Sequence, residues 1–352
     1  MNNILIIDYF SLVKRYYRLD EDQDKNDFIM TYIDKILPRI VETMIKYKPV
    51  ITFVACDSSK NVRALAINSE YKGNRKKAKS ISEEELMQSK IELLKIFVKA
   101  LPVVFLENKN TEADFIVYSI INYLKETIGL ENVQYIIGSS DSDFIQLFDD
   151  DVVMNNWNHP NVLITQKNFS EFFKGLNGFC WPEAYAFAKS FTGDTADNIK
   201  GVGGFGWKTV IKLFEIIGPV SSIKELQTKV DDHLSNKKGD KSHLALLNRV
   251  KKTILGNKSK FEKLLNNQKI IDFSMLETPY FVEVNNIIEE GLSTLIEFDE
   301  KNFKKIISVD CYLDGSEDDR RVKRSFIKEI MLLKQIVSRS NKFIDQNIPY
   351  EE

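Results

Sequence analysis

Two hydrophobic periods alternate along the first half of the chain. Short apolar runs bounded by turn residues, NILIID (3–8), PVITFVACD (49–57), LPVVFLE (101–107), VQYIIGSSD (133–141) and DVVM (151–154), predict strands. Between them, apolar residues recur at three- and four-residue spacing, notably over 28–47, 83–100 and 113–128, which predicts helices. Strands that are apolar throughout, and separated by helices, imply an α/β domain on a mainly parallel sheet covered on both faces. Residues 1 to about 190 are expected to form it.

Acidic residues stand where these strands end. Asp8 follows the first, Asp57 the second, Glu112 and Asp114 open the helix after the third, and Asp141 and Asp143 follow the fourth. In an open parallel sheet, ligands bind in the crevice outside the carboxyl ends of the strands, so the six acids are expected to meet there. Crowded carboxylates repel unless hard divalent cations such as Mg²⁺ or Mn²⁺ neutralise them. Each acid also has an ordinary reading. Asp8 and Asp57 suit turns, Thr111 with Asp114 resembles a helix capping box, and Ser140 or Asp141 suits the cap of a helix beginning near Phe144. Recurrence after four successive strands is what favours a shared metal site.

Composition narrows the class. With 352 residues and 43% hydrophobic content, the chain is long enough for one large domain with appendages. No apolar run approaches the roughly 18 residues a membrane span needs, and MNNILIIDYF does not read as a signal peptide, so a cytoplasmic location, in a bacterium or a phage-infected host, is expected. Cys56, Cys180 and Cys311 read as reduced, mostly buried thiols, and His159, His233 and His243 form no cluster, which leaves zinc chemistry and a Ser/His/Asp triad unsupported. The net charge of −2 conceals basic segments: residues 60–80 hold seven Lys/Arg against one acid, and 201–260 hold twelve against five. Such patches suit a polyanionic partner bound at chosen places.

FTGDTADNIKGVGGFGWKTVIKLF (191–214) contains Gly201, Gly203 and Gly206 at GxGxxG spacing, but no apolar strand precedes it, so a dinucleotide loop is disfavoured. A P-loop fails too, because Trp207 separates Gly206 from Lys208 and Thr209. A helix, a glycine hairpin and a second helix from Trp207 remain. Backbone N–H groups with Lys208 or Lys212 would then hold a nucleic-acid phosphate without reading bases. A helix-turn-helix with no ligand is the alternative.

In this order, LIID (Asp8), ACD (Asp57), YKGNRKK (71–77), TEAD (111–114), GSSDSDFIQL (138–147) and TGDTADNIKGVGGFGWKT (192–209) resemble the 5′-nuclease superfamily. That group includes flap endonucleases, the 5′→3′ exonuclease domains of bacterial DNA polymerases and bacteriophage 5′-nucleases, some described as ribonuclease H. The resemblance covers roughly residues 1–215. It implies a PIN-like domain (1–190) with a helical arch over about 60–100, a helix-hairpin-helix for duplex DNA (185–270), and two divalent ions, with K⁺ at the hairpin carbonyls. It also adds two ligands, Asp194 and Asp197, to Asp8, Asp57, Glu112, Asp114, Asp141 and Asp143. Lys72 and Arg75 match the family's basic pair near the scissile phosphate, and Tyr71 is placed to stack on a base. Arg63, Lys76, Lys77 and Lys79 would line the path of the strand or form a solvated basic face. The family usually reads E-A-D-D, whereas Phe115 stands at the second aspartate, leaving that motif one carboxylate short.

After residue 215 the reading is coarser. Residues 216–270 look helical and basic, with LSNKKGDKSH equally suited to a linker. The mostly helical region 271–352 carries no motif and is expected either to pack on the nuclease domain or to dock a replication partner such as a single-strand-binding protein or clamp. A monomeric metal-dependent 5′ nuclease acting on DNA flaps, nicked or branched duplexes and RNA primers is the leading reading. A non-catalytic junction binder, marked by Phe115, is the alternative, and a PIN-type ribonuclease comes third.

Overall fold

The five apolar runs become β1 (Asn2–Asp8), β2 (Ile51–Cys56), β3 (Val104–Glu107), β4 (Val133–Ser139) and β5 (Val152–Asn156) of one sheet. This computed structural model describes residues 1–17, 31–57, 62–74, 81–236, 239–294, 296–307 and 317–349. The strand order is β3-β2-β1-β4-β5-β6, with β1 to β5 parallel. The last strand, β6 (Leu163–Ile164), pairs antiparallel with β5 and was not predicted, since two residues carry no periodicity.

Alternation within β1 sorts its side chains between two cores. Ile4 and Ile6 join Phe53, Ala55, Tyr135 and Ile137 on one face, under the helix Ala113–Asn122. Leu5 and Ile7 join Val54, Cys56 and Ile136 on the other, under the helices Tyr9–Tyr16, Leu37–Tyr47 and Ile81–Lys99. All these strand residues are fully buried or nearly so, each contributing about 1.5–3 kcal/mol where the side chain is a large aliphatic or Phe. Gly138 in β4 is required by packing, because a Cβ there would meet the Trp157 ring at 2.7 Å.

The first core does not stop at residue 190. It continues through the helices Tyr185–Thr192, Trp207–Ile217, Ile223–Ser235, Lys241–Val250 and Lys258–Ile271, and ends with Phe343, Ile344 and Ile348. The region after 271 therefore packs on the α/β domain: Thr278–Ser293 covers edge strand β3, and Phe303, Leu333 and Ile336 enter the second core. Asn341 fastens the region by exchanging two hydrogen bonds with the Ile296 backbone, at 2.8 and 3.0 Å.

Gly291 sets how closely that helix approaches β3. A Cβ would lie 2.6 Å from Val104 Cγ1 and 3.3 Å from Leu106 Cδ2. Gly291→Ala is expected to cost about 1–2 kcal/mol in urea unfolding, because overpacking outweighs the better helix propensity of Ala. An unchanged or higher midpoint would show that the helix can shift outward.

Candidate active site

The sheet order reverses between β1 and β4, and the acids gather at the carboxyl ends of the strands on either side. Asp8 ends β1, capping the following helix by accepting from Ser11 N at 3.2 Å while its other oxygen accepts from Ser139 Oγ at 2.8 Å. Asp57 accepts from Ala113 N at 2.9 Å, so this acid serves the start of the helix Ala113–Asn122. The capping box expected of Thr111 and Asp114 does not form. Glu112 is the N-cap residue without a side-chain cap bond, and Thr111 Oγ1 is buried with no partner among the described residues. Asp141 accepts from Asp143 N at 2.9 Å and caps the turn Ser142–Leu147. Asp8 and Asp141 thus cap a helix or turn and line the cleft at once.

Asp194 closes a small hairpin, β7 (Gly193–Asp194) with β8 (Ile199–Lys200), and accepts from Ala196 N at 2.8 Å. All eight acids, Asp8, Asp57, Glu112, Asp114, Asp141, Asp143, Asp194 and Asp197, line one cleft of about 620 Å³. Tyr185 and Trp207, stacked with centroids 5.8 Å apart, also line it.

The crowding is visible in the proton affinities. Burial, then Asp57, pushes the Asp8 carboxyl up to about 7 from an ordinary 3.8. Burial also pushes Asp143 up to about 7 although Lys189 opposes it, and burial with Glu112 raises Asp114. Asp194 goes the other way: burial would raise it, but Lys189 and the backbone donors hold it below the usual range.

Two lysines reach into this negative field. Lys189 Nζ bridges Asp143 and Asp194, 2.6 Å from Asp194 Oδ2. Lys72 Nζ pairs with Glu112 and lies 3.9 Å from Asp197. Burial disfavours both ammonium groups, yet their acid partners raise them above the ordinary lysine value, so both stay charged. Lys189 was not among the predicted site residues. Its signal was legible, since Tyr185–Phe191 is buried all round and a lysine there demands an acid partner. Among the described residues no group of three acids stands ready to hold an ion, and four of the eight acids are engaged by Lys72 and Lys189.

Several expectations are corrected. Tyr71 is 7% exposed and donates to Glu112 Oε2 at 2.7 Å and Asp197 Oδ2 at 3.1 Å, so it organises the acids and is not free to stack on a base. Arg63 is 2% exposed, so it belongs to neither a strand path nor a solvated face. Its guanidinium lies 4.5 Å over the Phe115 ring and donates to the Lys269 carbonyl. Phe115 packs on Phe273 at 5.2 Å, outside the cleft lining. At Gly201 the space for a Cβ is filled by the Thr192 carbonyl, so this glycine permits backbone packing and not phosphate approach. Cys180 is exposed, unlike Cys56. Arg75, Lys76, Lys77, Lys79 and Cys311 lie outside the described residues.

The remaining hairpin residues sit at the start of the helix Trp207–Ile217. Gly203 and Gly206 face open space, Lys208 and Lys212 are exposed, and Thr209 N donates to Gly206 O at 2.9 Å. Gly204, in the left-handed region, offers its carbonyl to Arg249 Nη2 at 2.8 Å.

Residues 3–174 match the family model described as 5′-3′ exonuclease, N-terminal resolvase-like domain. A 5′-3′ exonuclease of Mycoplasmopsis pulmonis is 27% identical over 321 residues, covering 88% of this chain and 96% of that protein. In fold, the chain is similar to T5 5′-exonuclease with bound zinc, at TM-score 0.59 and 18% identity, covering 82% of this chain and all of the other (100%). It is also similar to the bacteriophage T5 flap endonuclease in a complex with DNA and metal ions, at TM-score 0.56 and 21% identity, covering 82% and 99%.

Proposed function

We propose that the chain, whose residues 3–174 match the 5′-3′ exonuclease family model, is a divalent-metal-dependent, structure-specific 5′ nuclease hydrolysing phosphodiesters at DNA 5′ ends and flaps. The single observation that carries the reading is the convergence of all eight acids on one cleft beside the glycine hairpin. Hard carboxylate oxygens, strained by mutual repulsion and burial, fit hard divalent cations better than any other common ligand.

Asp8, Asp57, Glu112, Asp114, Asp141, Asp143, Asp194 and Asp197 would hold two such ions. When bound, Mg²⁺ or Mn²⁺ supplies an acidified water and charge stabilisation for the leaving 3′ oxygen. The chain's own groups do the rest. The Tyr71 hydroxyl, kept protonated by burial, holds Glu112 and Asp197 together. Lys72 brings a permanent positive charge to the rim, where it meets the scissile phosphate. Lys189 keeps Asp143 and Asp194 from repelling each other. Lys208 and Lys212, with the open backbone at Gly203 and Gly206, receive the phosphates of the duplex. A K⁺ ion at the hairpin carbonyls would compete with Arg249 for the Gly204 oxygen.

RNA–DNA hybrids are included as substrates because backbone contacts of this kind read phosphates and not bases. The test is cleavage of an end-labelled 5′-flap duplex and a matched RNA-primed duplex with Mg²⁺, with EDTA and with Asp141→Asn. Cutting near the junction that EDTA and the substitution abolish is expected. Tight binding with no cutting in Mg²⁺ or Mn²⁺ would make the chain a structural junction binder instead.

A further inference from the structure

Lys72 reaches the acids from a segment that is clasped to the β7–β8 hairpin on its other side. The Lys72 backbone N–H donates to the Asp197 carbonyl at 2.9 Å. Asn198 Nδ2 donates to the Glu70 carbonyl at 2.7 Å, and Asn74 Nδ2 donates to the Thr195 carbonyl at 2.8 Å. Lys200 Nζ lies 3.4 Å from Glu70 Oε2. Residues 70–74 and 195–200 are therefore joined backbone to backbone and by two asparagine side chains, 120 or more positions apart in the chain.

The clasp has a backbone signature on both sides. Lys72 has φ +54° and Asn198 has φ +58°, both in the left-handed region. Asparagine tolerates that region better than most residues, whereas lysine gains nothing from it. Residues held there persist only when their surroundings over-determine them, and such positions concentrate where a side chain must be aimed. In Lys72 that conformation accompanies an N–H turned to Asp197 and an ammonium turned to Glu112.

We propose that Asn198 is a positioning residue for Lys72: by fixing the Glu70 carbonyl it holds the 70–72 turn, and with it the ammonium, over Glu112 and Asp197 before metal or DNA arrives. The proposal rests on the nuclease reading for its consequence in rate, but not for the clasp itself. Asn74 is a second, independent stitch across the same seam.

Asn198→Gly is the informative variant, because glycine accepts φ +58° without strain and removes only the side-chain donor. Two measurements are made on the full chain. By amide hydrogen exchange, the Lys72 N–H of the variant is expected to exchange about 10-fold faster or more, with the helix Trp207–Ile217 unchanged. By flap cleavage, kcat is expected to fall about 10-fold or more with KM within about twofold, whereas in a Lys72→Ala background Asn198→Gly is expected to lower kcat no further. Unchanged exchange at Lys72, or a loss in cleavage that multiplies fully with that of Lys72→Ala, would overturn the proposal. If the unmodified chain does not cleave the flap, the nuclease reading falls and exchange at Lys72 alone decides the clasp. Asn198→Asp, which keeps shape and backbone preference but cannot donate, is expected to behave as the glycine variant does.

Discussion

Replacing Asp8 by Asn should lower Mg²⁺-dependent cleavage by about 10³-fold or more and, in the same protein, raise the stability of the metal-free state at pH 8. The two effects have one cause. Burial and Asp57 hold the Asp8 carboxyl up near 7 against an ordinary 3.8, so the folded, metal-free protein binds that proton more tightly than the unfolded chain does. Below about pH 4 the group is protonated in both states and costs nothing. As pH rises the unfolded chain ionises first, and the folded state is penalised increasingly until about pH 7.

Asn keeps the shape and never ionises. A shift of this size, discounted for the partial exposure of Asp8, amounts to about 1–3 kcal/mol. Urea unfolding with EDTA at pH 5 and pH 8 checks it: the unmodified chain should lose stability between the two, and Asp8→Asn should lose less. A wild-type chain equally stable at both, with no gain in the variant, would mean that the acids are not crowded as described.

Lys189→Met has the opposite signature. Lys189 is buried between Asp143 and Asp194, and removing one partner of a buried ion pair leaves uncompensated charge at a cost of about 3–5 kcal/mol. The size of the loss depends on Asp143, which burial holds near 7. Lys189 holds that carboxyl down, so without it Asp143 moves higher still: at pH 8 the folded variant must bury its charge or keep its proton against solvent and the full penalty applies, whereas at pH 5 it is protonated with or without Lys189 and much of the penalty vanishes. Lys189 itself titrates above the ordinary lysine value, so it does not contribute to the pH dependence between 5 and 8. Thermal unfolding at the two pH values, with and without millimolar Mg²⁺, separates the terms. The variant should be strongly destabilised at pH 8, less so at pH 5, and more stabilised by Mg²⁺ than the unmodified chain. Equal destabilisation at both pH values would assign Lys189 to packing through its aliphatic stem.

Strands β1 to β5 were legible because a buried parallel strand is written as an unbroken apolar run, and six of the acids were legible because they stand after such runs, whereas Asp194 and Asp197 came only from the family resemblance. What the sequence concealed are cross-chain contacts. Nothing local distinguishes Tyr71 as a donor to Glu112 and Asp197 from Tyr71 as a stacking platform; the partners lie 41 and 126 positions away. Arg63 read as one basic residue among seven, and only the fold places an aromatic ring beneath it. Thr111 and Asp114 carried a sound capping pattern, but Asp57 reached Ala113 N and the local option was not used. Local rules were overridden where distant residues meet at the cleft, which is where function is expected to override them.

Phe343, Ile344 and Ile348 bury against the same core as Ile4 and Ile6 of the first strand. On a ribosome adding about 5–20 residues per second, β1 therefore waits roughly 20–70 s for the last side chains of its own core to be made. Throughout that interval the part of the shared core that Phe343, Ile344 and Ile348 close stays open, although the helix Ala113–Asn122 already covers Ile4, Ile6 and Phe53. Synthesis of this protein should accordingly depend on chaperone capacity, and slowing translation near residue 340 should lengthen the exposure without altering the folded product.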